Sequence, residues 1–407
     1  MEKVENTPTL RFPEFNGEWE SKKLGGIAKF SKGKGISKSD ISDEGMNECI
    51  RYGELYTRYG EVISDVFSKT NVGLEKSVIS EANDVIIPAS GETQIDIATA
   101  SCVMKSGVIL GGDLNIIKTK NDGVFLSYYL NSKRKMDIAN LAQGISVVHL
   151  YSSQLALLNL NLPTLFEQQK IATFLTAVDK KLQVFKQKKI LLEQYKKGVM
   201  QKIFSQELRF KDDSGNDFED WKEKMLGEVL FEHKLRSTGN EEVFSVSVHK
   251  GLINQIEHLG RSFSAKNTSN YNLVKPFDMV YTKSPTGDFP LGIVKQSKML
   301  KSVIVSPLYG VFTPETEGLG YMLNVFFESP LNTSNYLGSL IQKGAKNTIN
   351  ITNKTFLSKS MILPTSKNEQ KKIGAFLSAI DDKINHCQGQ IVKTEVWKKG
   401  LLQKMFV

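Results

Sequence analysis

No apolar run in this 407-residue chain approaches the roughly 18 residues that a membrane-crossing helix needs. The opening residues, MEKVENTPTLRF, lack the apolar core of a secretion signal. Cysteine is scarce: Cys49, Cys102 and Cys387 are odd in number and scattered, which argues against a disulfide framework and for a reducing cytoplasm. The five histidines, His149, His233, His249, His258 and His386, make no metal-ligand spacing, and no two cysteines stand as C-x-x-C. The stretch Gly25–Gly35, GGIAKFSKGKG, is only superficially a phosphate loop, because Gly33-Lys34 is followed by glycine rather than Ser or Thr. The Asn/Asp-Pro-Pro-aromatic tetrapeptide with which an adenine methyltransferase grips a flipped base is also missing. No catalytic constellation remains.

What the chain has is repetition. Glu167–Phe204 and Glu369–Phe406, 202 residues apart, align without a gap and share 16 of 38 residues. The same spacing pairs Trp19 with Trp221, Lys22 with Lys224, and Leu24-Gly25 with Leu226-Gly227. A repeat of this length implies approximate internal two-fold symmetry, which suits a partner that is itself two-fold symmetric, as duplex DNA is.

The repeated segments carry a heptad pattern. Its first copy runs Ile171, Leu175, Val178, Leu182, Phe185, Lys189, Leu192, Lys196, Val199, Ile203. Its second runs Ile373, Leu377, Ile380, Ile384, Cys387, Ile391, Thr394, Lys398, Leu401, Met405. Such seams predict two long helices that pair with each other, each about 57 Å long. Leu162-Pro163 and Leu363-Pro364 end a strand-like stretch before each helix. Gly198 and Gly400 weaken the pattern locally, by about 1 kcal/mol each relative to alanine.

The blocks between the helices differ from one another. Residues 20–162 and 222–363 hold short β-like runs, such as Asp84–Ile87, Gly107–Leu110, Asp278–Tyr281 and Val303–Val305, and helix-like stretches at Phe125–Leu141 and Tyr321–Gln342. The expected fold class is therefore α+β: two globular modules alternating with two long helices that pair as an antiparallel coiled coil, in a pseudo-two-fold internal repeat. The boundaries fall at 1–162, 163–207, 208–363 and 364–407. Leu208-Arg209-Phe210 follows the first helix, while Leu10-Arg11-Phe12 precedes the first module with no helix before it. The order is cyclic, so antiparallel helices would bring the end of the second beside the start of the first frame.

With these features the chain resembles the DNA-specificity subunit of a type I restriction–modification system. The residues that carry the resemblance are Leu-Pro then Glu-Gln-Gln-Lys-Ile-Ala-x-Phe-Leu at 162–175, and Leu-Pro then Glu-Gln-Lys-Lys-Ile-Gly-x-Phe-Leu at 363–377. The Lys-Lys-Gly-x-x-Gln-Lys-x-Phe endings at 196–204 and 398–406 and the Leu-Arg-Phe and Trp-x(4)-Leu-Gly openings add to it. The resemblance implies that each module is a target recognition domain reading one half of a bipartite double-stranded DNA site. It implies that the helices serve as spacer and as docking surface for two adenine methyltransferase subunits, with endonuclease/translocase subunits joining that core. It assigns no catalysis and no cofactor to this chain; S-adenosylmethionine belongs to the methyltransferase, and ATP and Mg to the endonuclease. The expected location is the cytoplasm, with no membrane partner. A rival reading without the resemblance is a scaffold or regulator whose two modules bind protein.

DNA contacts would come from the modules. In the first, Lys32 and Lys34 sit in a glycine-rich loop, and Arg51, Tyr52, Tyr56, Arg58 and Tyr59 interleave base and aromatic. Ser146 and His149 lie in GISVVH just before the Leu-Pro turn. In the second module the candidates are Lys234, Arg236, His249, Lys250, Arg261, Lys266 and Lys283, with Lys346, Asn347, Thr348 and Asn350 before the matching turn.

The net charge of +9 is unevenly spread. Residues 20–150 hold sixteen basic and sixteen acidic residues, whereas 222–366 hold sixteen and eleven, and 167–204 nine and three. A neutral first module gains little from counterion release. The isolated chain is therefore expected to bind DNA weakly in a gel-shift assay at physiological salt. Tight, site-specific binding without partner subunits would contradict that expectation.

Overall fold

The computed structural model describes residues 6–144, 146–259, 267–283, 285–343 and 349–407. The chain forms two compact units: Met1–Lys186 with Gly389–Val407, and Gln187–Gln388. Both divisions fall inside the long helices, Leu165–Phe204 and Lys367–Lys404. Each unit thus owns one module, the N-terminal part of one long helix and the C-terminal part of the other. No helix among the described residues is long and apolar enough to cross a membrane.

The first unit is built on a five-stranded sheet in the order Ala28–Lys32, Leu114–Thr119, Asp84–Pro88, Ser101–Val103, Val62–Ile63. Asp84–Pro88 is buried along its whole length, as its Val-Ile-Ile run requires. A second sheet joins Asn47–Ile50 to Ser68–Thr70 and Ile109–Leu110. The frame strands Glu20–Lys23 and Asn159–Leu162 pair antiparallel, Glu20 opposite Leu162. Trp19 and Phe125 pack at 5.8 Å, and Tyr129 and Phe406 stack at 5.6 Å, so the end of the chain lies in this core. The backbone N–H of Leu10 donates to the carbonyl of Lys404 at 2.9 Å. The cyclic order expected from the sequence is closed by that bond.

The second unit repeats the plan. Its largest sheet among the described residues runs in the order Leu230–Phe231, Gly310–Pro314, Met279–Tyr281, Val294–Gln296. Frame strands Lys222–Met225 and Ser360–Leu363 pair as their counterparts do, Lys222 opposite Leu363. Phe204, the counterpart of Phe406, packs on Phe326 at 5.0 Å.

The repeated motifs now have physical explanations. Arg11 donates to both carboxylate oxygens of buried Glu167 at 2.7 Å, and Arg209 donates to Glu369 at 2.7 and 3.2 Å. Such a planar fork is what makes arginine the residue for the Leu-Arg-Phe motif. Gln168 and Gln370, which follow those glutamates, each donate to the carbonyl of the proline that ends the frame strand, both at 2.9 Å.

The heptad pattern is also realised. No seam position of either helix is exposed. In the first unit Ile171, Leu175 and Val178 share a core with Leu401 and Met405, and Lys186 pairs with Glu395 at 2.9 Å. In the second, Val199 and Ile203 share a core with Ile373 and Leu377. Low numbers on one helix meet high numbers on the other, so the segments run antiparallel within each unit. Leu182, Phe185, Leu192 and Ile384 are half-buried, and Ile380 and Ile391 are buried.

The two lysines at seam positions form matching charge clusters. Lys398 reaches Asp179 at 2.8 Å and Glu61 at 3.2 Å, and Tyr128 donates to Asp179 at 2.6 Å. Lys196 reaches Asp381 and Glu328, both at 2.8 Å, and Tyr321 donates to Asp381.

Three expectations need correction. The run Gly107–Leu110 is strand only at Ile109–Leu110, because Gly107 takes a left-handed φ of 86° that turns the chain. Phe125–Leu141 is two helices, Gly123–Ser132 and Lys135–Leu141. Tyr321–Gln342 is likewise split into Glu317–Phe327 and Pro330–Gly338: Pro330 cannot continue the first helix, and Ser329 caps the second.

Lys398→Ala should leave Asp179 and Glu61 facing each other half-buried, and should lower stability to urea by about 3 kcal/mol. Burial opposes the charge on Lys196 and Lys398, but their acidic partners raise both pKa values above the usual lysine value. Burial, aided by the acids, also raises Tyr128 and Tyr321. All four groups hold a proton in the folded state after the unfolded chain has released it. Stability should therefore be flat through neutral pH and fall once pH passes about 10. An unfolding midpoint unchanged at pH 11 would contradict this.

Candidate nucleic-acid interface

The first module brings several of its candidates together where backbone segments cross. Lys32 stands opposite Asn115 at the end of an edge strand. Beyond it the chain crosses the Leu110–Gly112 backbone, with the Gly33 N–H donating to Leu114 and the Lys34 N–H to Leu110, both at 3.0 Å. A Cβ on Gly33 would collide with the Gly111 carbonyl. The crossing demands glycine, and it leaves Lys32 and Lys34 exposed on either side. Gly111 in turn donates to the Ile50 carbonyl at 2.9 Å, which places Arg51 beside the same crossing.

Arg51 is half-buried, with Nη2 3.7 Å from buried Glu54. Its Nε is buried with no hydrogen-bond partner among the described residues. Glu54 also accepts the Arg51 backbone N–H at 2.9 Å and the Ser68 hydroxyl. Tyr52 is half-buried against the core. Tyr56 is half-buried near Tyr52, Glu92 and Asp96, and burial raises its pKa. Arg58 is exposed. Tyr59 turns inward: it stacks on Phe67 at 5.4 Å, its hydroxyl accepts the Phe67 N–H, and burial pushes its pKa to about 12.

The segment before the Leu-Pro turn joins this rim. Gln143 and His149 exchange backbone hydrogen bonds at 2.9 and 2.7 Å, and His149 pairs with Ser90. Ser146 lies in the exposed bend between them. The His149 ring stacks on Tyr151 at 6.5 Å, and Lys32 Nζ lies 5.8 Å from the Tyr151 ring centre. Tyr151 is 47% exposed and was not among the sequence candidates. Its signal was available, because residues two apart on an extended segment share a face, and Tyr151 is two from His149.

In the second module Lys234 is exposed at a positive φ of 55°, 202 residues from Lys32. The neighbouring His233 is structural. Its Nδ1 accepts the Leu235 N–H, so its Nε2 carries the proton donated to Asp278 at 2.9 Å. Arg236 is turned to the Asn270 carbonyl and the Asn272 side chain. Lys283 is half-buried, and burial draws its pKa below the usual lysine value against the pull of Glu232. Glu232 also accepts from Asn353 at 2.7 Å. His249 and Lys250 sit at the tip of the hairpin Phe244–Ser247/Gly251–Asn254 and border a cavity with Lys295, Lys298, Glu328 and Asn385. They are thus apart from Lys234 in the fold's connectivity. Arg261, Lys266, Lys346, Asn347 and Thr348 lie outside the described residues. Asn350 pairs with Gln342 through its backbone, and its side chain is likewise outside them.

Among the described residues no cluster of His, Cys, Asp and Glu could hold a metal ion. The arrangement offers exposed ammonium, guanidinium, imidazole and phenol groups on pinned backbone. Those groups suit phosphate oxygens and base edges.

Residues 16–194 match the family model described as the type I restriction modification DNA specificity domain. The specificity subunit of the type I restriction enzyme MjaVIII of Methanocaldococcus jannaschii is 28% identical over 230 residues. That match takes in 54% of this chain and spans half the length of that curated relative. The fold is similar to the crystal structure of a type I restriction–modification S subunit from M. genitalium, with a TM-score of 0.62 and 16% identity over 98% of this chain and 99% of that one. An HsdS subunit from Thermoanaerobacter tengcongensis matches with a TM-score of 0.45 and 14% identity over 95% and 96%.

The glycine crossing gives a direct test of the rim. Gly33→Ala should lower the thermal midpoint by an amount equivalent to about 2 kcal/mol, since backbone must move to admit the methyl group. Gly26→Ala, where a Cβ meets nothing within 4 Å, should be tolerated. Equal midpoints for the two variants would mean the crossing is not as described.

Proposed function

We propose that this chain, whose residues 16–194 match the model of the type I restriction modification DNA specificity domain, belongs to that family and is the recognition subunit of a type I restriction–modification complex. Each module reads one half of a bipartite duplex site, and the bases between the halves go unread. The chain catalyses nothing itself. Two methyltransferase subunits using S-adenosylmethionine dock on it, and endonuclease subunits using ATP and Mg complete the complex. The observation that carries this reading is a contrast. The frames repeat residue for residue, Arg11–Glu167 with Arg209–Glu369 and Lys398–Asp179 with Lys196–Asp381. The rims those frames support share the lysine at the repeat spacing, Lys32 and Lys234, and otherwise diverge: Arg51, His149 and Tyr151 on one module stand against Lys283 and Asn353 on the other. A binder of one identical protein on each side would have no use for that divergence, whereas a reader of two different half-sites requires it.

Exchange of residues 20–162 for the equivalent module of another family member tests the reading. Methylation profiling of DNA from cells carrying the chimaera and its methyltransferase should show one half-site replaced and the other kept. An unchanged methylation pattern would favour a scaffold.

A further inference from the structure

We propose that His149 and Tyr151, steadied by Lys32, form the base-reading head of the first module. This assignment rests on the recognition function proposed above and names the residues that set its specificity on one side. The backbone here is held from several directions. His149 is paired with Gln143 and Ser90. The Leu150 N–H donates to the Ala89 carbonyl at 2.9 Å, and the Leu150 carbonyl accepts from Asn115 at 3.0 Å. The Tyr151 N–H donates to the Gln154 side chain at 3.0 Å, and its carbonyl accepts from the backbone of Gln154 and Leu155. Every polar backbone group is engaged inward, and the side chains of His149, Tyr151 and Lys32 are left outward and exposed.

A pinned backbone with free aromatic side chains is the arrangement that discriminates bases. Little ordering entropy is lost on contact, and small errors of fit are not absorbed by backbone movement. An imidazole and a phenol each offer a short-range donor or acceptor for a base edge, and the phenol ring offers an apolar face for a thymine methyl. Lys32 over the Tyr151 face holds the ring by cation–π attraction while its ammonium remains able to meet a phosphate. Lys34 and Arg58, by contrast, are exposed charges with no ring face beneath them among the described residues, suited to phosphate rather than to bases.

The second module has different chemistry at the same place. Asn350 stands thirteen residues before Leu363, as His149 stands thirteen before Leu162. The counterpart of Tyr151 is Thr352, whose hydroxyl is engaged in capping the helix Asn353–Leu357 by accepting the Thr355 N–H. No aromatic stands there, so the two modules read different bases with the same fold.

The test uses the full chain co-expressed with its methyltransferase, with methylation profiling as the readout and Tyr151→Ala, Tyr151→Phe and His149→Gln as variants. The expected result is relaxed preference at one or two positions of a single half-site, by roughly ten-fold or more for Tyr151→Ala. The other half-site should be unchanged, and the thermal midpoints should match wild type. Tyr151→Phe, which removes one oxygen, and His149→Gln keep the question open if Tyr151→Ala folds poorly. Wild-type base preference in both of these variants would overturn the assignment, as would a uniform loss across all sequences. A wild-type protein that directs no bipartite methylation would sink the underlying function, and this assignment with it.

Discussion

A lysine half-buried in an apolar seam must find an acid, and that requirement organises both units of this protein. Lys196 and Lys398 interrupt the heptads where a hydrophobic residue would pack better. Each is answered by an aspartate on the other helix, Asp381 and Asp179, and by a glutamate from the module, Glu328 and Glu61. An apolar seam alone tolerates sliding by a heptad. A charge that is stable only opposite its partner does not, so the clusters set register as a buried polar residue does in a coiled coil. Because the glutamate comes from the module, the same cluster also attaches each module to its helices.

The second constraint is the pair of adjacent residues at the start of each long helix. Glu167 and Glu369 are buried and bound by arginines from the preceding frame, while Gln168 and Gln370 bind the proline carbonyls. Gln168 also accepts the Asp122 N–H at the start of a module helix, and Gln370 accepts from Thr316 at the equivalent place. One dipeptide thereby joins frame, helix and module.

Much of the fold was legible because it is local and periodic. The long helices, the strands before the Leu-Pro turns and the cyclic order follow from spacing, and the hydrogen bond from Leu10 to Lys404 closes the cycle as that order requires. The split of the Tyr321–Gln342 stretch was missed, although Pro330 marks it. The proposed interface was legible only in part. Lys32, Lys34 and Arg51 meet at the glycine crossing, and His149 lies beside Lys32 through Tyr151, which the spacing did not single out, while Tyr59 spends its ring and hydroxyl on Phe67. Side-chain direction at such places depends on neighbours distant in sequence, and composition does not carry that information.

Periodicity and duplication are properties of the chain itself, so the sequence alone established two frames, two seams and two unlike modules in order. It showed Lys196 and Lys398 only as flaws in a seam. Only folding decided that these flaws are locks, because the acids that answer them lie far along the chain. For Lys398 they are Asp179 and Glu61, 219 and 337 residues away. The same holds for Lys32, His149 and Tyr151, which meet because the end of an edge strand packs beside a segment distant in sequence. Contacts between remote segments depend on how the backbone packs, and that is settled in three dimensions.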